Sequence, residues 1–313
     1  MKSKIAALLL PAIFLCIIGL LWGSWRAPLE GEPAGPAAAA GGVEQAPPLT
    51  LRASLADADW RLVDMGRREA DHRLEAGATS VGLLGGSEID APQWFALVRP
   101  IYPTSPEIRV RFPGASQSRG ECGGALYEGG WVVTAAHCVV DRDGSAPLQV
   151  EICVQPQGRS TCRAAYVIHR AAVDLGYEPD GAAGFREDRA VLRLPDDPGN
   201  GLGLPQTPRA EIEPGEHVHI FAMGLNGAGE LSERVSRCSQ QVVDVRRTIV
   251  ETRAGACRIR RAGSGSLAGR ELPSGEIVPL LIVSSYDPGD ETRNFYAPLR
   301  PDKIRDAMRI MGR

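Results

Sequence analysis

From residue 83 onward, apolar and polar positions alternate in short runs closed by Gly, Pro or Asp. The runs Trp94–Val98, Ile108–Arg111, Trp131–Thr134, Leu148–Val154, Ala190–Leu194, His217–Ala222, Val242–Val245 and Ile277–Ser284 read as strands. Many short strands between turn residues predict an all-β sandwich or barrel. The pattern changes only at Pro301–Met311, where Ile304, Met308 and Met311 share a helical face and predict a short closing helix. No internal repeat is present.

The first 82 residues follow other rules. Lys2 and Lys4 precede an uncharged run from Ile5 to Trp22, broken only by Pro11 and Gly19. Residues 1–25 therefore read as a signal-anchor or a cleaved signal peptide, and either places the body of the protein outside the cytoplasm. If uncleaved, the segment anchors the chain in the membrane. Residues 26–50 are rich in Ala, Pro and Gly and read as a linker. Residues 51–82 carry many charges, with Leu51, Leu55, Trp60, Val63 and Leu74 at loose helical spacing. They are expected to form a helical stalk, a propeptide-like segment or a helix packed on the main domain, residues 83–313.

Composition sharpens this picture in three places. The 36 glycines and 24 prolines suit a turn-rich β fold better than a helix bundle. A net charge of -3 argues against a nucleic-acid partner. Of seven cysteines, Cys16 lies in the apolar run and six lie in the main domain. Sequence proximity pairs Cys122 with Cys138, Cys153 with Cys162 and Cys238 with Cys257. Paired cysteines imply an oxidising compartment. No Cys-x-x-Cys occurs, so neither a zinc ribbon nor a thioredoxin-type site is indicated.

The richest segment runs from Cys122 to Cys138: a short apolar strand ends in Thr-Ala-Ala-His137-Cys138. A disulfide around this loop would hold His137 at a strand end, where an imidazole can be aimed as a proton-shuttling base. Here the chain resembles the trypsin/chymotrypsin-like serine proteases, whose histidine motif reads Thr-Ala-Ala-His-Cys. The resemblance implies a double six-stranded β-barrel with a short C-terminal helix, and a Ser-His-Asp mechanism. It also implies an aspartate and then a serine further along. Asp188, in Asp-Arg-Ala-Val-Leu-Arg-Leu194, matches the family's Asp-x-Ala-x-Leu-x-Leu. Asp174 and Asp180 are rivals in turn-rich surroundings. Tyr166–His169 resembles the strand ahead of this aspartate, so His169 is structural.

Ser264, in Arg260-Arg-Ala-Gly-Ser-Gly-Ser266, resembles the nucleophile of the Ser-Gly-Ser variant found in bacterial members. Ser266 competes but is followed by Leu267. The backbone N–H groups of Ala262 and Ser264 would form the oxyanion hole. The strand Pro279–Ser284 resembles the substrate-lining strand, and the pocket would draw on Arg258, Arg261 and Ser284. Arginines there would favour an acidic side chain, or would form a solvated basic loop.

The resemblance has two departures. Leu83-Leu-Gly-Gly86 resembles the start of the mature family enzyme, yet Gly82 stands where a basic residue is cleaved. Gly263 stands where the family's aspartate receives the new amine. Activation by that salt bridge is therefore not expected. Ala262 replaces a glycine of the oxyanion loop, where a β-carbon penalises a positive φ.

The implied function is an exported serine endopeptidase acting on polypeptides without a cofactor or metal. His217 and His219 share a strand face with no third ligand evident, and Asp287–Glu291 reads as a polar hairpin turn. Two alternatives stay open: a non-catalytic binding protein on the same scaffold, and an anchored scaffold whose 51–76 segment holds a partner.

Overall fold

The structure is a computed structural model. It describes residues 60–65, 83–103, 117–140, 146–157, 161–174, 176–177, 187–198, 202–205, 211–225, 231–255, 257–259, 263–287 and 290–312. Among these, no helix is long and apolar enough to cross a membrane. The 5–22 run, the 26–50 linker and the expected strand Ile108–Arg111 lie outside the described residues.

Along the chain the strands are β1 (Trp60–Asp64), β2 (Leu83–Leu84), β3 (Ser87–Ile89), β4 (Phe95–Pro103), β5 (Gln117–Arg119) and β6 (Cys122–Tyr127). Then come β7 (Trp131–Thr134), β8 (Gln149–Pro156), β9 (Cys162–Ile168), β10 (Arg170–Asp174), β11 (Ala190–Arg193) and β12 (His217–Leu225). The last are β13 (Leu231–Val245), β14 (Val250–Ala254), β15 (Arg258–Ile259), β16 (Leu267–Glu271), β17 (Ile277–Asp287) and β18 (Asp290–Pro298), followed by helix α1 (Pro301–Met311).

These strands make two nine-stranded sheets. In the first, the order β10-β11-β7-β6-β4-β8-β9 returns on itself, because β9 and β10 are one strand interrupted at His169. Six strands thus form a barrel, with β1 added beside β10 and β5 beside β4. In the second, β12-β16-β17-β18-β14-β13 closes through the β12–β13 pairing, with the short strands β2, β3 and β15 added. The fold is therefore two barrel-like sheets and one C-terminal helix, the architecture that the resemblance implies. Closure removes the exposed edges that a long open sheet would present.

Burial follows the pleat. β9 alternates between partly buried and exposed positions, as a strand with one wet face should, whereas all six residues of β6 are buried. The first core gathers Val98, Leu126, Val133, Ile152 and Leu192, and the second Ile220, Val242, Leu281 and Tyr296. Leu267 and Ile282 of the second sheet belong to the first core, so the barrels share packed surface. Helix α1 buries Ile304, Ala307 and Met308 against the first barrel. Its start carries Pro301 at the first turn and its end Gly312, both favoured there.

One expectation is corrected. Trp60–Asp64, within the stretch expected to be helical, is strand β1, antiparallel to β10 from Trp60↔Asp174 to Asp64↔Arg170. Trp60 and Met65 are buried in the first core, while Arg61 and Leu62 face solvent. Arg61, Leu62 and Asp64 are all exposed on this edge strand, so a run of five residues shows no clean period of two against a helical spacing.

Candidate active site

β7 is buried throughout and delivers a 3-10 turn, Ala136–Cys138, at its end. Cys138 closes a disulfide to Cys122 at the start of β6, with Cα atoms 6.3 Å apart. A loop of this length gains about 3 kcal/mol in chain-entropy terms. His137 sits between these anchors with 31% of its side chain exposed. Cys153 pairs with Cys162, and Cys238 with Cys257.

The ring of His137 meets Asp188, which is 1% exposed. Asp188 Oδ1 accepts the His137 backbone N–H at 3.0 Å, and Oδ2 approaches His137 Nδ1 at 2.7 Å. A carboxylate only accepts, so Nδ1 carries the proton and Nε2 keeps its lone pair for incoming hydrogen. Oδ2 also accepts the Ser284 hydroxyl at 2.5 Å. Three donors thus hold one buried carboxylate.

Ser264 comes from the second barrel. Its Oγ donates to the Ser284 carbonyl at 3.4 Å, so Ser284 touches Asp188 with its side chain and Ser264 with its backbone. Of the amides of residues 264–266, that of Gly265 is spent on Val283 O and that of Ser266 on Gly263 O. The rival Ser266 is fully buried, with its hydroxyl against Gly123.

Two glycines make this closeness possible. Gly265 has φ +75°, and a β-carbon there would lie 2.2 Å from Thr134 Oγ1 and 2.4 Å from Gly123 O. A β-carbon on Gly123 would strike Ser266 Oγ at 2.1 Å. Meanwhile Gly123 N donates to Ser264 O at 2.7 Å and Thr134 Oγ1 donates to Gly123 O at 2.8 Å. Only bare backbone lets the Ser264 loop approach the strand that leads into His137.

Ala262 and Arg261 lie outside the described residues, as does Asp180. Arg258 is exposed on β15, while Ile259 beside it is buried. Ser284 is 2% exposed and its hydroxyl is engaged by Asp188. The rival Asp174 is buried at the end of β10 and bound by Arg189 Nη2 at 2.8 Å. Burial pulls the Arg189 guanidinium down from its ordinary value, and Asp174 opposes that. His169 contributes its carbonyl to Met65 N at 2.7 Å.

Leu83 and Leu84 form β2, antiparallel to Arg258–Ile259 and parallel to Gly224. Gly263 packs so closely that a β-carbon would meet Ile259 Cγ2 at 2.7 Å. His219 stands beside Arg237, whose Nε donates to its Nδ1 at 3.3 Å, and lies 3.4 Å from Glu271 through Nε2. Burial lowers the His219 value and Arg237 lowers it further, against the pull of Glu271. The Asp287–Asp290 turn is a hairpin, in which Asp290 Oδ1 accepts Thr292 N and Oγ1. Among the described residues, one set of three ligand-type atoms falls within 4.8 Å: Cys122, His137 and Cys138. Both sulfurs there are spent in the disulfide.

Sequence reasoning assigned Ser284 to a pocket and missed its bond to Asp188, 96 residues away in the chain. Nothing local marks such a partnership.

The comparisons agree with this architecture. A family model described as Trypsin matches residues 103–260, half the chain, and the chain belongs to the trypsin family. The match stops short of Ser264. No curated protein matches the chain by sequence. Among solved structures, an inactivated protease paralogue of the scabies mite is similar at 17% identity and TM-score 0.54, over 73% of this chain and 97% of its own. A protein described as HL collagenase is similar at 14% identity and TM-score 0.55, over 74% and 99%. The protease Anisep from Arthrobacter nicotinovorans is similar at 11% identity and TM-score 0.51, over 69% and 92%. At such identities these likenesses establish the fold.

Proposed function

We propose that the protein is a serine endopeptidase of the bacterial, Ser-Gly-Ser type, with Ser264 as nucleophile, His137 as general base and Asp188 as its orienting acid. One observation carries this reading: the Asp188 carboxylate accepts both His137 N–H groups and the hydroxyl of Ser284, whose carbonyl receives Ser264 Oγ. In the reaction Ser264 Oγ turns from that carbonyl toward His137 Nε2, gives up its proton and attacks the scissile carbonyl. The proton then passes to the leaving amine, and water attacks the acyl-enzyme by the same route. The N–H groups of Ser264 and Ala262 are assigned to the oxyanion. Arg258 and Arg261 are assigned to the mouth of the substrate pocket.

Disulfides and family membership support a location outside the cytoplasm. Residues 1–25 would supply the export signal or anchor, residues 26–50 the linker and residues 83–313 the protease domain. Activation would need no new terminus, since Leu83 and Leu84 already pair beside the nucleophile loop and Gly263 offers no carboxylate.

A fluorophosphonate probe tests the reading. It should label the wild type and not Ser264→Ala, and a peptide library should then show cleavage. The second reading, a binding protein on the same scaffold, is favoured by the engagement of Ser264 Oγ with a carbonyl. Failure of correctly disulfide-bonded wild type to label would establish that reading instead.

A further inference from the structure

Next to Asp188 in the chain stands Arg189, a fully buried arginine. Side chains entering a strand face alternate ways, and the two residues reach different surroundings. Asp188 meets His137 and Ser284, whereas Arg189 meets Glu187, the end of β10 and the end of β18. Its Nη2 and Nε donate to Asp174 Oδ2 at 2.8 and 3.3 Å, and its Nη1 donates to the Pro298 carbonyl at 2.5 Å. Nη2 also pairs with the Glu187 carboxylate. Lys303 of α1 lies 3.5 Å from Asp174 Oδ2 and 3.9 Å from Glu187 Oε2.

Two cations and two carboxylates balance, but burying them is costly, and apolar residues of similar volume would hold this space at least as well. What the cluster supplies is direction. A planar guanidinium fixes several partners at set angles, which an aliphatic side chain cannot do. Asp174 belongs to the first barrel and Pro298 to the second, so the fork spans both. The grip also extends along the chain. Glu187, held by Arg189, has φ +53°, a left-handed conformation that a glutamate adopts only when its surroundings impose it. The amide of Arg189 donates to Glu187 O at 2.7 Å, and its carbonyl accepts Asp174 N at 3.1 Å. Both chain neighbours of Asp188 are therefore held by one buried cluster.

We propose that Arg189 is a positioning residue, which fixes the Asp188 carboxylate against His137 by tying the following peptide unit to Asp174 and Pro298. The inference rests on the assignment of Asp188 as the group that orients His137.

The test compares wild type, the paired variant Asp174→Asn/Arg189→Met, and Arg189→Lys. The paired variant removes one charge of each sign and leaves no lone charge behind. Circular dichroism establishes folding, and proton NMR reads the low-field resonance of the His137 Nδ1–H held by Asp188. In the folded paired variant the resonance should shift or vanish by exchange, and fluorophosphonate labelling of Ser264 should slow about 10²-fold. A merely structural role would lower the melting point and leave the resonance in place. That result, in folded protein, overturns the proposal. Should the paired variant not fold, Arg189→Lys decides on the same resonance, because a lysine keeps the charge but lacks the planar fork whose separate nitrogens hold Asp174 and Pro298 at set angles. If the wild type shows the resonance but does not label, the peptidase reading fails and the resonance still decides the role of Arg189.

Discussion

The amide of Gly123 donates to the carbonyl of Ser264 across 2.7 Å, joining the first barrel to the loop that carries the candidate nucleophile. Thr134 Oγ1 reaches the carbonyl of the same Gly123 from the strand that leads into His137. Residues from both barrels are thereby held at one point without a side chain between them. This junction rests on the missing side chains of Gly123 and Gly265 as much as on the bonds that are present.

Gly265→Ala is expected to break that junction. The left-handed backbone alone costs a β-carbon about 1–2 kcal/mol. The overlap with Thr134 Oγ1 at 2.2 Å adds to it, because backbone and a packed threonine stand on that side. Gly215→Ala is the control: φ is +93° there, but nothing lies within 4 Å. Denaturant melts should show the larger loss for Gly265→Ala. Labelling of Ser264 should slow about 10²-fold in that variant and stay unchanged in the control.

Ser284→Ala removes one of three donors to Asp188 and leaves the carbonyl that receives Ser264. A hydrogen bond to a buried charged acceptor is worth about 1.5–3 kcal/mol. The variant should fold with its disulfides intact and label at least about tenfold more slowly, by the same energy scale. Equal labelling rates in the two proteins would show that the hydroxyl is dispensable.

Much of the architecture was legible because closed barrels bury one face of most strands, and alternation reports that directly, as along β9. The Thr-Ala-Ala-His137-Cys138 turn was legible because strand, turn and disulfide partner are all local. Ser284 and Asp188 could not be paired from sequence, since 96 residues separate them and only the sheet pairing brings them together. Arg189 is bound by Asp174 at the end of β10 and by the Pro298 carbonyl at the end of β18, 109 residues along the chain, and nothing local in the sequence marks that burial. At Trp60 the helical spacing draws on apolar positions from Leu51 to Leu74, of which only Trp60 and Val63 lie in β1. Five residues are too few to separate a period of two from a helical one.

Stability should fall with acid in a way that depends on His219. Its folded-state value is lowered, chiefly by burial and then by Arg237, so the unfolded chain binds the proton more readily. Stability then rises with pH where the unfolded form is protonated and the folded form is not, and falls as pH drops below the ordinary histidine value of 6.5. Protonating Nδ1 would also cancel its acceptance of the Arg237 N–H. His219→Gln should flatten the melting-temperature profile between about pH 7 and pH 5. A profile of unchanged slope would exclude His219 as its source.

Gln240 organises the interior of the second barrel. Its Oε1 accepts Thr252 Oγ1 at 2.6 Å, Tyr296 OH at 2.7 Å and Asn294 Nδ2 at 3.2 Å, all from buried residues. Gln240→Leu keeps the volume and strands three donors, each costing about 1–3 kcal/mol when unpaired in the core. A destabilisation of at least about 3 kcal/mol is expected in urea melts on that scale. Thr252→Val, which removes one donor and leaves the acceptor two others, should cost about 1 kcal/mol.

Residues 60–65 should behave as part of the folded domain. Trp60 and Met65 are buried in the first core, and Met65 N donates to His169 O at 2.7 Å. Trp60→Ala should therefore cost about 3–5 kcal/mol, as large aromatic truncations in cores do. Asp64→Ala, which breaks an exposed pair with Arg170, should change stability by less than about 0.5 kcal/mol. Hydrogen exchange supplies the independent check, since the β1 amides that pair with β10 should be protected along with it. Exchange of Trp60–Asp64 at the rate of a free peptide, while β10 stays protected, would show that the segment is not held and that the domain begins later in the chain.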